Sequence, residues 1–230
     1  MALVPAAGRG QRMGSGIPKQ FLTIGGVPIL VHSLRVLEAA ASVVEVILAV
    51  SEGDREYCLR DIVSPHGFTK VKKVVPGGEH RQDSVRHGLE AITDDTEVVL
   101  VHDAVRPFLT ADMVEQVIAR AAQYGAAVVA IPMRDTVKQA GSDGLIESTV
   151  DRNGLWLAQT PQAFRLALLR EAHRKALLES VHATDDAQLV ERLGHRVAVV
   201  EGSGQNIKIT RPEDLALGEA ILAARSRRES

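Results

Sequence analysis

Short apolar runs rich in β-branched residues alternate along this chain with stretches whose apolar residues recur at helical spacing. No other feature restricts the possible fold so strongly. VVEVILAV (Val43 to Val50), VKKVV (Val71 to Val75), EVVLVH (Glu97 to His102) and AAVVAIP (Ala126 to Pro132) read as buried or half-buried strands. Between them PILVHSLRVLEAA, RQDSVRHGLEAI and TADMVEQVIARAAQY read as helices, the last with Thr110 and Asp112 as start signals. Strands separated by helices pair in parallel, so the expectation is an α/β fold with a mostly parallel sheet covered on both faces. With 230 residues, 45% of them hydrophobic, the chain can bury one substantial core, and a single domain over 1–230 is expected.

The pattern changes after Pro132. MRDTVKQAGSDGLIESTVDRNGLWLAQTPQAF holds two alternating segments around GSDG and a second polar turn at DRNG, which predicts a projecting β arm over 133–159. Its apolar content is too low for a separate core, so it packs on the parent domain or reaches another subunit. A helix near Leu166 to Leu178, a short helix in TDDAQLVERLG, a strand in RVAVVEG and a last helix in RPEDLALGEAILAARSR complete the reading, with the final SRRES expected to fray.

The first strand runs into a glycine-broken loop, ALVPAAGRGQRMGSGIPKQF, with Gly8, Gly10 and Gly14 followed or flanked by Arg9, Arg12 and Lys19. Glycines let successive N–H groups converge on an anion, and arginine and lysine add charge, so the loop reads as a polyanion cradle at the carboxyl edge of the sheet. The spacing matches neither the dinucleotide fingerprint nor the P-loop, and a tight strand exit beside a solvated lysine is the bland alternative.

Other clusters fall at predicted strand ends. VVPGGEHRQDS places Gly77 and Gly78 in a loop with Glu79, His80, Arg81, Asp83 and Ser84 near a helix start; base or sugar recognition competes with an ordinary turn and cap. In LVHDAVRPF, Asp103 follows an apolar strand beside His102 and Arg106. It either helps hold Mg2+, otherwise coordinated by phosphates and water, or pairs with Arg106 to fix the loop. Asp135, Thr136 and Lys138 at the arm entrance, and Asp151, Arg152, Thr160 and Gln162 at its return, form a substrate clamp or decorate a hairpin. Thr184, Asp185 and Asp186 precede a helix that they can cap. Lys208 alternates with Ile207 and Ile209 in an expected strand, reaching a phosphate or facing solvent.

A net charge of −2 with scattered cations argues against a nucleic-acid partner. The lone Cys58 offers no intrachain disulfide or cysteine metal cluster, and neither a signal peptide nor an 18-residue apolar run is present. A cytoplasmic location without membrane association is expected.

Taken in order, PAAGRGQRM, PKQF, GGEHRQDSV, VHDAVRP, RDTVK, VDRNGLWLAQTPQ, ATDDA and GSGQNIKITRPEDL resemble the 2-C-methyl-D-erythritol 4-phosphate cytidylyltransferases over nearly all of 1–225. The resemblance implies a Rossmann-like three-layer nucleotide-binding sandwich with a projecting arm, a homodimer with arms exchanged across the interface, and CTP, Mg2+ and methylerythritol phosphate as ligands. Matching motifs imply that Arg12 and Lys19, assisted by Lys208, stabilise charge at the α-phosphate. They place Ala6, Ala7, Gly8, Gly78 and Ser84 on the nucleotide, Asp103 at the magnesium, and Thr136 and Arg152 in the partner's pocket. Thr160, Thr184 and Asp185 are implied second-substrate or supporting groups.

The implied reaction moves CMP from CTP onto methylerythritol phosphate and releases pyrophosphate, with no covalent enzyme intermediate. TDDA departs from the commoner TDEA, which weakens any role for Asp186. The chain leaves no room for the fused synthase domain of some relatives, so one activity is expected. A ribitol 5-phosphate cytidylyltransferase is the neighbouring enzyme alternative, and a CTP-responsive dimer without turnover is the alternative of another class.

Overall fold

The computed structural model describes residues 1–8 and 17–229, and the side chains only as far as 227. Arg9, Gly10, Arg12 and Gly14 lie outside the described residues. β1 (Ala2–Ala6) leads to a small hairpin, β2 (Thr23–Ile24) and β3 (Val27–Pro28), and then to α1 (Ile29–Ala39) and β4 (Val46–Val50). A short α2 (Arg55–Tyr57) continues as a π-helical stretch, Cys58–Val63, before β5 (Val71–Pro76), α3 (Arg81–Glu90), β6 (Val98–Val101), α4 (Ala111–Tyr124) and β7 (Ala126–Pro132). The arm holds β8 (Val137–Ala140) and β9 (Ile146–Val150). The chain returns through β10 (Trp156–Arg165), α5 (Leu166–Leu178), α6 (Asp186–Glu191), β11 (Ala198–Glu201) and α7 (Pro212–Glu229).

The main sheet has the order β11-β7-β10-β6-β1-β4-β5, and only β10 runs antiparallel to its neighbours. The period-2 alternation of buried strands sorts the core into two layers. Val4, Leu48 and Leu100 face α1 and α4, meeting Leu30, Leu34, Val114 and Val117. Leu3, Ile47, Val99 and Val101 face α3, α5 and α6, meeting Val85, Leu89, Leu169 and Val190. The expected three-layer α/β sandwich is therefore present. A third cluster, Ile24, Ile29, Val105, Phe108, Ile209 and Ile221, holds α7 against the hairpin and the loop after β6.

Local signals account for the boundaries. Thr110 caps α4, its hydroxyl accepting from the Met113 amide at 3.2 Å, and Gly125 ends that helix at φ 92°, a conformation that suits glycine. α3 lies unusually close to β1, because a Cβ on Gly88 would come within 2.1 Å of Leu3 Cδ1. Within 133–159, β8 and β9 pair as an antiparallel, mostly exposed hairpin, whereas Trp156 to Ala158 already pair with β7 in the main sheet. One expectation fails: Ile207–Thr210 is irregular rather than a strand. Ile209 donates its amide to Val105 O at 2.9 Å and buries its side chain in the third cluster, which leaves no edge for a ladder partner. Among the described residues no helix is long and apolar enough to cross a membrane.

Candidate functional site

Sheet order alone locates a cleft. β1 connects by way of α1 to β4 on one side, whereas its other neighbour is β6, so the carboxyl ends of β1 and β6 form a topological switch point. Loops after β1, β5 and β6 open there, and the cleft is lined by Ala6, Ala7, Gly8, Lys19, Gln20, Gly78, Glu79, His80, Arg81, Ser84, Asp103 and Lys208 among others. The structure thus gathers Ala6, Ala7, Gly8, Lys19, Gly78, Ser84, Asp103 and Lys208 in one place; the Arg12 expectation falls outside the described residues.

The first wall is the exit of β1. Gln20, 2% exposed, donates Nε2 to Ala6 O at 2.6 Å, and Ser51 donates Oγ to Ala7 O at 2.9 Å. Both carbonyl oxygens, which would repel an anion, are occupied. Lys19 opens the 3-10 turn Lys19–Phe21, and a Cβ on Gly8 would lie 3.9 Å from Lys19 Cε, so the lysine stem runs past the glycine. The second wall is the turn into α3. Ser84 Oγ accepts from the Gly78 amide at 3.0 Å, and Asp83 accepts from the His80 amide at 3.2 Å. Gly78 has no room for a side chain, since a Cβ there would meet Asp83 Cβ at 2.1 Å. The N-terminus of the ten-residue α3 therefore stands at the cleft, where its dipole favours negative charge.

Asp103 sits at the base. Its carboxylate is gripped from both sides, by Arg81 Nε at 2.6 Å on Oδ1 and by Lys208 Nζ at 2.7 Å on Oδ2. Burial pushes this carboxyl up, but Arg81 and Lys208 outweigh it and hold it far below the usual carboxylate range. The alternative of an Asp103–Arg106 pair gives way to this arrangement: Arg106 instead sends Nη1 to Asn206 O at 2.7 Å. Arg81 also reaches Asp186 with Nη1 at 2.7 Å, and Asp186 meets His173 Nε2 at 2.9 Å. Burial disfavours the Arg81 charge, yet Asp186 and Asp103 raise its pKa overall.

Thr160 lies beneath Asp103 rather than in the cleft. Its Oγ1 accepts from the Asp103 amide at 3.0 Å and lies 3.2 Å from His102 Nδ1. Burial lowers the His102 pKa to about 4, so the ring is neutral at pH 7. His102 Nε2 faces Arg106 O at 3.1 Å and must donate to it, leaving Nδ1 to accept the Thr160 hydroxyl hydrogen. Asn206, fully buried, donates Nδ2 to Gln159 Oε1 and to Thr160 O at 3.1 and 2.9 Å, tying the Lys208 segment to the same floor.

Asp185 caps α6, accepting from the Gln188 amide at 2.9 Å and from Gln162 Nε2 at 2.8 Å. The Thr184 amide donates to Gln188 Oε1 at 2.8 Å, so both residues are engaged in folding this turn. Thr136 and Arg152 stand exposed on the arm and do not line this cleft, and Arg152 Nη1 donates to Arg134 O.

Sequence reasoning assigns no role to His173, Gln159 or Asn206, gives Asp186 at most a cap, and meets Arg81 only within a polar cluster. One signal was available for Arg81: a cation in the first turn of a helix opposes the dipole and needs another reason to be there. His173 falls on the buried face of α5 with Leu166, Leu169, Ala172 and Ala176, where a polar ring requires a partner.

Among the described residues no group of three or more His, Cys, Asp or Glu could enclose a metal. Magnesium needs less from a protein when phosphates supply most of its oxygens. Asp103 fits that role as an ionised hard-oxygen donor, whose carboxylate oxygens retain lone pairs beyond those used by Arg81 and Lys208.

Comparison with known proteins agrees with this geometry. The chain matches the family model described as IspD: 2-C-methyl-D-erythritol 4-phosphate cytidylyltransferase over residues 1–224. It is 49% identical over 227 residues to the 2-C-methyl-D-erythritol 4-phosphate cytidylyltransferase of Pelotomaculum thermopropionicum, spanning 99% of this chain and 95% of that one. A solved structure of the 2-C-methyl-D-erythritol 4-phosphate cytidylyltransferase of Thermus thermophilus superposes with a TM-score of 0.79 at 40% identity, covering 96% of this chain and 98% of that one. The 4-diphosphocytidyl-2C-methyl-D-erythritol synthase of Anaerococcus prevotii gives a TM-score of 0.85 at 32% identity, covering 96% and 97%. The chain belongs to the 2-C-methyl-D-erythritol 4-phosphate cytidylyltransferase family.

Proposed function

We propose that this cleft transfers CMP from CTP to 2-C-methyl-D-erythritol 4-phosphate, forming 4-diphosphocytidyl-2-C-methyl-D-erythritol and pyrophosphate for non-mevalonate isoprenoid precursor synthesis. The observation that carries the reading is that one cleft at the switch point holds Lys19, the α3 N-terminus and the Asp103 carboxylate, which is gripped by Arg81 and Lys208. A phosphate oxygen of the acceptor attacks the α-phosphorus of CTP, a new P–O bond forms, and the bond to the β-phosphate oxygen breaks with pyrophosphate taking the electron pair. The nucleophile is already anionic near neutral pH, so no side chain need remove a proton. Cys58 is no candidate for a covalent route, because burial pushes its thiol up to about 12.

What the residues supply is position and charge. Ala6, Ala7, Gly8, Gly78 and Ser84 shape the nucleotide seat, and the satisfied Ala6 and Ala7 carbonyls reduce repulsion toward the phosphates. Lys19, with Arg12 from the same loop, and Lys208 offset the negative charge that develops at the α-phosphate, a contribution of about 2.7–4 kcal/mol for one well-placed group. Asp103 would hold Mg2+, which neutralises triphosphate charge when bound.

The arm completes the site in trans. Thr136 and Arg152 are exposed and absent from the lining of their own cleft, and Leu145, Ile146, Leu155, Trp156 and Leu157 expose between 38% and 68% of their surface along the arm. A second copy covering that apolar face would bring Thr136 and Arg152 to a partner's cleft. Thr184 and Asp185 support the opposite wall through α6. We place the enzyme in the cytoplasm, where its free, buried Cys58 stays reduced.

The experiment is magnesium-dependent turnover of CTP with methylerythritol phosphate and, separately, ribitol 5-phosphate, with the nucleotide product identified by mass. Preference for methylerythritol phosphate supports the reading; preference for ribitol phosphate redirects it, and CTP binding without pyrophosphate release indicates a regulatory module.

A further inference from the structure

His173 is a polar residue on a buried, largely apolar helix face beside a cavity lined by Arg86, Glu90, Arg170 and Arg174, and packing does not explain it. It is 3% exposed on the face of α5 that also buries Leu166, Leu169, Ala172 and Ala176. Its Nδ1 is buried with no hydrogen-bond partner among the described residues. An apolar side chain would fill this volume without leaving a buried nitrogen unsatisfied. The polar contact that the ring does make is Nε2 to Asp186 Oδ1 at 2.9 Å.

Asp186 is 1% exposed, and its other oxygen receives Arg81 Nη1 at 2.7 Å. An ionised carboxylate only accepts, so His173 Nε2 carries the hydrogen of the shared contact. A guanidinium anchored through one nitrogen can still pivot; anchored through Nε on Asp103 and Nη1 on Asp186, its plane is fixed. Arg81 Nη2 is buried without a partner among the described residues, so the group sits where the two carboxylates hold it, at the expense of its own third nitrogen. Asp186 is in turn fixed because α6 is locked by the Asp185 cap and by Gln162 Oε1, which accepts from the Ala187 amide at 3.1 Å.

We propose that His173 and Asp186 are positioning residues: they hold Arg81 in the one orientation that presents the Asp103 carboxylate to the nucleotide, although neither lines the cleft. The inference rests on the cleft being the CTP site. Loss of the His173 hydrogen frees Asp186 to rotate, Arg81 follows, and Asp103 loses one of its two grips. The effect is read on the nucleotide, because Asp103 and Arg81 line the nucleotide cleft.

The test compares His173→Leu, His173→Gln and Asp186→Asn with the wild type by calorimetric CTP affinity in magnesium buffer, alongside Tm. Glutamine keeps a donor at the reach of Nε2; leucine keeps only volume. The expected result is CTP affinity weakened about tenfold in His173→Leu and at least as much in Asp186→Asn, with His173→Gln within about threefold of wild type. Unchanged CTP affinity in a His173→Leu protein with a lowered Tm would reduce the residue to packing and overturn the proposal, as would equal losses in the leucine and glutamine variants. Should His173→Leu not fold, Asp186→Asn with wild-type affinity overturns it equally well. Failure of the wild type to turn over methylerythritol phosphate while still binding CTP would sink the proposed activity and leave the affinity ratios to decide the brace.

Discussion

Asp103 shows how a single carboxylate can be kept both buried and ionised. Its two oxygens face two cations at 2.6 and 2.7 Å, and its amide is held by Thr160, whose hydroxyl is directed by neutral His102. His102 carries a pH signature. Its folded pKa lies near 4, below the ordinary 6.5, because burial disfavours the charged ring, so the unfolded chain binds more protons between those values. Stability is therefore full above about pH 6.5 and falls as pH drops toward 4, by about 3 kcal/mol from this residue. Asp103 and Asp186, held low by their cationic partners, contribute stability that is lost only below the ordinary carboxylate range. Urea unfolding at pH 7 and pH 4.5 checks the sign; equal stability at both would contradict it. Lys19→Ala should leave Tm within a few degrees and lower turnover by about 100-fold or more, measured as pyrophosphate release by the folded variant. Comparable turnover would remove Lys19 from the reaction.

At the scale of elements, close packing of α3 on β1 sets the cleft. Gly88 lets Leu3 approach, and the same helix delivers Arg81 and the Ser84–Gly78 contact to the site. Gly88→Ala should destabilise the protein by about 1–3 kcal/mol, read in denaturant melts, because the added methyl must displace Leu3 or the helix. Most of the parallel strands, the helices α1 and α3 to α7 and the β8–β9 hairpin were legible in the sequence, since period-2 and period-3.6 patterns are local; the antiparallel strand β10 and the β2–β3 hairpin were not, because β10 crosses from the arm into the main sheet with no apolar run to mark it. The site was legible where glycines and cations cluster in sequence, at Gly8, Lys19, Gly78 and Asp103. It was not legible where partners come from far apart: Arg81 and Asp186 are separated by 105 positions, and no local pattern pairs them. Lys208 illustrates the middle case. Its direction away from Ile209 followed from alternation, but the irregular backbone that brings it to Asp103 depends on Asn206 and Val105, which spacing does not reveal.

For the molecule as a whole, the exposed arm and the open cleft belong to one design if each arm serves a second copy. An equimolar mixture of Lys19→Ala and Arg152→Ala proteins, each nearly inactive, should then recover activity after subunit exchange. Half the dimers would be mixed and each would hold one intact site, giving about a quarter of wild-type turnover. No recovery, with exchange verified, would confine Arg152 to its own protomer or to no site.

The central claim is that a phosphate oxygen of the acceptor attacks the α-phosphorus within the Lys19–Asp103–Lys208 cleft. It is tested most directly by turnover of methylerythritol phosphate carrying 18O in its phosphate, with the masses of both products measured. The account predicts that all of the label appears in the diphosphocytidyl product and none in the unlabelled pyrophosphate released with it; release of CMP or CDP in place of pyrophosphate, with the label on a methylerythritol triphosphate or diphosphate lacking cytidine, would place the attack on the β- or γ-phosphorus and contradict it.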